Sequence, residues 1–175
     1  MEILIIGGVV VLIMVIVSTQ IKKSAARAFE REIIETDDFR IVKPSGLMNP
    51  IRSVSEYAFE AYSKDYGEKK ERNIWQAQVY LTVSKDLNFV QVCKNAKLKG
   101  KILSKKFETD ASAGQKIRLL ESEESGKDAS FYVFQKIVES EKQQKVYDLQ
   151  IKILKAFRDV YAERVDEILN NFHLK

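Results

Sequence analysis

Apolar positions follow three regimes along this chain: an unbroken run at the start, alternation through the middle, and steps of three and four at the end. Residues 3–17 (ILIIGGVVVLIMVIV) carry no charge and no proline. Ile21 extends the apolar character past the uncharged Ser18, Thr19 and Gln20. As a helix, residues 1–21 cover about 31 Å, close to the roughly 30 Å of a bilayer core. A cleaved signal peptide carries its basic residues before the apolar run. Here Glu2 precedes it, and Lys22, Lys23, Arg27 and Arg31 follow; the small-residue stretch Ser24-Ala25-Ala26 lies beyond two lysines. A soluble core helix would keep a polar face, which this run lacks. The pattern therefore favours an uncleaved transmembrane anchor over 1–21, marked by Ile3, Gly7, Gly8, Val17 and Ile21. Lys22, Lys23 and Arg27 act as topology determinants, holding the N-terminus out and the rest of the chain in the cytoplasm. Gly7 and Gly8 permit close approach of a second helix in lipid, though glycine is also common in spans.

Residues 22–37 (KKSAARAFEREIIETD) read as a helical stem, because alanine, arginine and glutamate are good helix formers. Phe29, Ile33 and Ile34 leave one apolar stripe, and Thr36-Asp37-Asp38 ends it. From residue 38 to 175 the pattern is that of one domain. DFRIVKPSGL is a strand stopped by Pro44 and Gly46, and SEYAFEAYS a second strand. In IWQAQVYLTV, Trp75, Ala77, Val79, Leu81 and Val83 share one face. SKDLNFVQVCKNAKLKG changes to helical spacing at Leu87, Val90 and Cys93, with Ser84 or Asp86 as cap and Gly100 beyond the end. Four strands follow, KILSKKFET, QKIRLLES, SFYVFQKIVES and VYDLQIKI, separated by DASAG, EESGKD and EKQQK. Tyr147, Leu149, Ile151 and Ile153 alternate with polar residues, so one side of the sheet is buried and the other wet, as in antiparallel sheets. LKAFRDVYAERVDEILNNFHL closes the chain as a long helix with a stripe of Leu154, Phe157, Val160, Tyr161, Val165, Ile168, Leu169 and Phe172. The fold class is α+β: one antiparallel sheet of six to seven strands with a crossover helix and a C-terminal helix packed on it.

Composition narrows the chemistry. The chain is 45% hydrophobic and 31% charged, which is globular, and its net charge of +4 is mild for a nucleic-acid binder. The aromatics Trp75, Tyr57 and Phe59 sit in strand patterns that read as core rather than base-stacking platforms. One cysteine, Cys93, suits a reducing compartment and reads as a small buried residue. One histidine, His173, stands near the C-terminus, so neither a zinc site nor a catalytic triad is indicated. Gly and Lys in SAGQK and ESGKDAS lack phosphate-loop spacing. Asp65 with Glu68, and Glu121 with Glu123, could pair as acid and base, but their places in turns and strand ends favour solvated charge. No cofactor is implied. The basic stretch KNAKLKGKILSKK contributes Lys94, Lys97, Lys99, Lys101, Lys105 and Lys106. It reads as a solvated face or as a patch for anionic lipid headgroups or a partner.

FRIVKPSGL, SKDLNFVQVCKNA, SAGQKIRLL and KVYDLQIKIL…YAERVDEILNNF, in that order, resemble the PsbP-like fold. That fold is shared by the PsbP photosystem accessory proteins, the Mog-type Ran-binding proteins and the DcrB-type bacterial proteins. The resemblance covers residues 38–174. It implies a small, usually non-catalytic accessory domain that binds a larger protein, and it fixes no binding residue. The leading expectation is a single-pass, membrane-anchored protein presenting a cytoplasmic protein-binding domain to an integral or peripheral membrane partner. A lipid-headgroup or small-ligand module is the alternative, followed by an enzyme of unrecognised type.

Overall fold

The computed structural model describes residues 2–50, 55–64, 74–95, 100–126 and 129–175, with side chains from residue 11 onward. Helix α1 (Glu2–Ala28) leads the chain, and residues 11–27 are all exposed. Among the described residues no helix is long and apolar enough to cross a membrane. The side chains of Ile3, Gly7 and Gly8 lie outside the described residues, whereas Val17 and Ile21 are exposed on α1.

The expected helical stem is shorter than its composition suggests. Phe29 and Glu30 close α1 by turning their N–H groups to the Ala26 and Arg27 carbonyls, at 3.1 and 3.0 Å. Residues Glu32–Glu35 then form strand β1, antiparallel to β2 (Phe39–Lys43), with Ile33 opposite Val42 and Ile34 opposite Ile41. Tertiary pairing overrides helix propensity here. Thr36 makes the tight return, its hydroxyl accepting from the Phe39 N–H at 3.1 Å. Lys43, 3% exposed, donates to the Ala28 carbonyl at 3.0 Å, so a buried cation sits at the C-terminus of α1, where the helix dipole favours it.

The main sheet has six strands in the order β3-β4-β8-β7-β6-β5, all pairs antiparallel. These are β3 (Phe59–Tyr62), β4 (Ala77–Ser84), β5 (Lys101–Asp110), β6 (Gln115–Ser125), β7 (Ser130–Ser140) and β8 (Lys145–Leu154). Their alternation matches the expected faces of β4 and β8: Ala77, Val79 and Leu81 stand beside Ile153, Ile151 and Leu149, all buried. Helix α3 (Arg158–Asn171) lays Tyr161, Val165 and Ile168 on that face. Phe39 meets Tyr147 edge to face and Phe172 packs on both at a tilt, with centroids 6.2 to 6.5 Å apart. Burial of side chains this size contributes about 1.5–3 kcal/mol each. The closing helix ends earlier than its periodicity predicts. Past it, β9 (His173–Leu174) pairs with β2 and completes a separate three-stranded sheet, β1-β2-β9. Val160, expected in the stripe, is 60% exposed.

Helix α2 (Phe89–Asn95) lies on the opposite face of the main sheet, carrying the chain from β4 to the far edge at β5. Its cap is Asn88 rather than Ser84 or Asp86. Asn88 Oδ1 accepts from the Gln91 N–H and Gln91 Oε1 accepts from the Asn88 N–H, both at 2.9 Å, a reciprocal capping box. That shift rotates the buried stripe to Phe89, Val92 and Cys93, packed on Ile137 and Val146, and leaves Leu87 and Val90 exposed. Gly100 is a close-approach glycine, since a Cβ there would meet the Glu123 carbonyl oxygen at 2.0 Å.

Candidate interaction surface

The sheet face that carries α2 holds a chain of polar side chains. Register places Gln78, Tyr80 and Thr82 of β4 opposite Lys152, Gln150 and Asp148 of β8, with Gln135 of β7 opposite Gln150. Arg118, 5% exposed, donates from Nη1 to the Cys93 carbonyl at 2.9 Å and from Nη2 to Gln135 Oε1 at 2.7 Å. Gln135 passes the link on, donating to Asp148 Oδ1 at 2.8 Å, and Gln150 donates to Asp148 Oδ2 at 3.1 Å. Burial pushes the Asp148 carboxyl above its usual range, against the pull of those two amides and of the Arg118 charge. Burial likewise pushes the Cys93 thiol up, the opposite of what a nucleophile needs.

Where α2 ends its coverage, the same face opens into a trough of about 360 Å³ lined by Tyr57, Gln78, Tyr80, Thr82, Asp148, Gln150 and Lys152. The Tyr57 and Tyr80 rings stand 4.7 Å apart, and burial together with Glu60 and Tyr57 raises the Tyr80 phenol to about 12. Beside them, at the β3 edge, Tyr62 and Trp75 stack at 4.2 Å. Reading Tyr57 and Trp75 as core is corrected by this geometry: Tyr57 is 39% exposed and Trp75 half-buried, and only Phe59 is core. Alternation alone does not reveal that both rings flank an open face. Lys152 beside the trough is paired with Glu124 at 3.0 Å.

Among the described residues, the lysines of the basic stretch are divided between α2 and the two faces of β5. Lys94 is exposed at the end of α2, and Lys97 and Lys99 lie outside the described residues. Lys101, Lys105 and Lys106 are on the edge strand β5, where alternation sends consecutive side chains to opposite faces. Lys105 lies 5.0 Å from the Phe107 ring centroid, while Lys106 on the other face pairs with Glu108 at 2.5 Å. All ten residues of β5 are exposed, including Ile102, Leu103 and Phe107 at 52%, 42% and 58%. Lys22, Lys23 and Arg27 are exposed on α1.

Of the carboxylate candidates, Glu121 and Glu123 are each engaged by a cation. Glu121 pairs with Arg158 at 3.0 Å and Glu123 with Lys155, both on the α3 side of β6; Asp65 and Glu68 lie outside the described residues. His173 is exposed on β9. A recess of about 480 Å³ at the start of α2 is lined by Lys116, paired with Glu139 at 2.9 Å and with Glu141 at 3.5 Å, and by Lys85, Asp86 and Lys145.

An antiparallel sheet closed on one face by a C-terminal helix, and on the other partly covered by a crossover helix, defines an α+β sheet-and-helix architecture. No protein-family model matches the sequence, and no curated protein matches it. Among solved structures the chain is similar to LpqN of Mycobacterium tuberculosis, which is involved in cell envelope biogenesis. That match has 13% identity and a TM-score of 0.56 over 83% of this chain and 91% of that one. It is similar also to the Ran-binding protein Mog1p of Saccharomyces cerevisiae, at 10% identity and a TM-score of 0.51 over 83% and 96%. Cyanobacterial PsbP of Synechocystis sp. PCC 6803 aligns at 9% identity with a TM-score of 0.49 over 83% and 92%. The likeness to LpqN and Mog1p establishes the fold of the domain.

Proposed function

We propose that this chain is a non-catalytic, single-pass membrane-anchored accessory protein whose cytoplasmic domain binds a partner protein of a membrane complex. The observation that carries the reading is the open sheet face whose polar trough is lined by the Tyr57–Tyr80 aromatic pair, with a second pair, Tyr62 and Trp75, at the β3 edge. Tyrosine and tryptophan supply large contact area at low entropic cost and dominate protein interfaces. Mog1p, on the same fold, is a Ran-binding protein, which supports a protein-binding use. For the anchor, support comes from the exposure of Val11 to Val17 and of Ile21 around α1, continuous in sequence with the charge-free residues 3–10. Leaving that apolar surface in water costs about 25 cal/mol per Å², which lipid relieves. Lys22, Lys23 and Arg27 on its C-terminal flank favour a cytoplasmic domain.

The test is photo-crosslinking in native membranes from full-length chain carrying a photoreactive residue at Tyr57, against the same residue at Val160 on α3. The reading expects a discrete protein adduct from position 57 and none from 160. Equal patterns at both positions, or no adduct at 57, would refute it. Release of the full-length chain by alkaline carbonate washing would overturn the anchor alone.

A further inference from the structure

Strand β5 is the outer edge of the main sheet, and its sequence is self-complementary. An edge strand exposes unpaired N–H and C=O groups, and natural proteins blunt it with lysines and irregular register. Both devices are present here, in Lys101, Lys105 and Lys106 and in the register shift between Ile102 and Ser104. They do not explain why Ile102, Leu103 and Phe107 are exposed on the same strand. The charges of β5 are also divided: lysines up to residue 106, then Glu108 and Asp110.

The geometry points to a second copy of this chain as the occupant of that edge, paired β5 to β5 in antiparallel fashion across a twofold axis at Phe107. A twofold perpendicular to the sheet keeps the faces of both copies aligned, so it must pass beside a residue that lies opposite itself. Centring on Lys105, Lys106 or Glu108 sets like charges against each other on the axis, which is destabilising. Centring on Phe107 stacks the two exposed rings on the face that carries Lys105. On the other face it sets Lys106 opposite the partner's Glu108 and Ser104 opposite the partner's Asp110, each twice. Lys106 and Glu108 already share that face, as their ion pair within the chain shows. An extended acidic peptide fits less well, because Glu108 and Asp110 would repel it over half the strand. This surface is separate from the aromatic trough and does not depend on the proposed partner.

Charge exchange at two exposed positions tests the pairing in the full-length chain. The protein is held in detergent, with micelles in excess over protein, and mass is read by sedimentation across a concentration series. Wild type is expected to dimerise. Lys106→Glu sets carboxylate against carboxylate at both symmetry-related contacts, and Glu108→Lys sets ammonium against ammonium there. Each alone should therefore weaken the dimer by about tenfold or more. An equimolar mixture of the two variants should dimerise again, because each strand is then complementary only to the other. Unchanged Trp75 fluorescence verifies that both variants fold. A monomeric wild type, variants that dimerise as wild type does, or a mixture that stays dissociated would each overturn the proposal. Association through α1 would be indifferent to both substitutions.

Discussion

Gln135→Leu isolates the energetic role of the polar chain on the open sheet face. Gln135 is 2% exposed and joins two charged groups, accepting from Arg118 Nη2 at 2.7 Å and donating to Asp148 Oδ1 at 2.8 Å. A hydrogen bond to a charged group contributes about 1.5–3 kcal/mol, so removing both costs roughly 3–6 kcal/mol. The apolar leucine returns about 1–2 kcal/mol. The net expectation is a loss of about 2–4 kcal/mol, made more severe because Arg118 Nε is already buried with no partner among the described residues. Urea unfolding of the full-length chain in mild detergent measures it, read by the fluorescence of the sole tryptophan, Trp75, which packs on Tyr62. A second substitution sharpens the result. Adding Arg118→Met removes the stranded guanidinium, so the double variant should be more stable than the sum of the two single losses by about 1–3 kcal/mol. A Gln135→Leu protein within about 0.5 kcal/mol of wild type would refute the argument, since the network would then carry no net stabilisation.

The folded-state carboxyl of Asp148 lies above its unfolded value, so folding favours its protonated form. The stability gained on protonation is complete below the unfolded value of about 3.9 and is lost as pH rises through the folded one. The stability of wild type relative to Asp148→Asn, which cannot titrate, should therefore fall as pH rises from below about 4 to 7, whatever the fixed cost of replacing an acceptor oxygen by an amide; a relative rise over that range would contradict this. In the β7–β8 turn, Gln144 holds φ at +52°, in the region Gly114 takes at +61° before β6. Gln144→Gly should stabilise by about 0.5–1 kcal/mol in the same titration, the relief of left-handed strain exceeding the added chain entropy.

Much of the main sheet was legible because its strands alternate cleanly. In β4 and β8 the buried residues are those the period-two pattern marks, and the turns DASAG and EKQQK fall between β5 and β6 and between β7 and β8. The errors lie where tertiary pairing decides. EIIE has the composition of a helix, and becomes strand β1 because β2 offers it an edge. His173 and Leu174 continue the rhythm of α3, yet β2 takes them from the other side. In α2 the pattern carried two apolar stripes one residue apart, and the Asn88–Gln91 capping box selects the second. The site was the least legible part. Asp148 and Gln150 stand on the polar side of an alternating strand, but nothing local in the sequence says that Arg118 and Gln135, on two other strands, close a hydrogen-bonded chain with them. Such a chain is a property of register.

The two surfaces of this domain differ in how their charges are engaged, and that difference separates them by ionic strength. Around the trough the charged groups are internally satisfied: Asp148 by two amides, Lys152 by Glu124. What remains free for a partner is ring surface and amide, from Tyr57, Tyr80 and Gln78, so recognition there rests on burial and hydrogen bonding. On β5 the reverse holds. Lys105 is exposed, the Lys106–Glu108 pair is exposed, and self-pairing exchanges an ion pair within one chain for ion pairs between two. Exposed pairs are screened over a Debye length of about 8 Å at physiological salt and about 3 Å at 1 M. Raising the salt therefore dissolves the charge selectivity of β5, and mixed and single variants converge there, while contacts made through the aromatic face persist. A protein using both surfaces at once would bind its partner from either a monomer or a dimer, because the trough sits at the β3–β4–β8 end of the sheet and β5 forms the opposite edge.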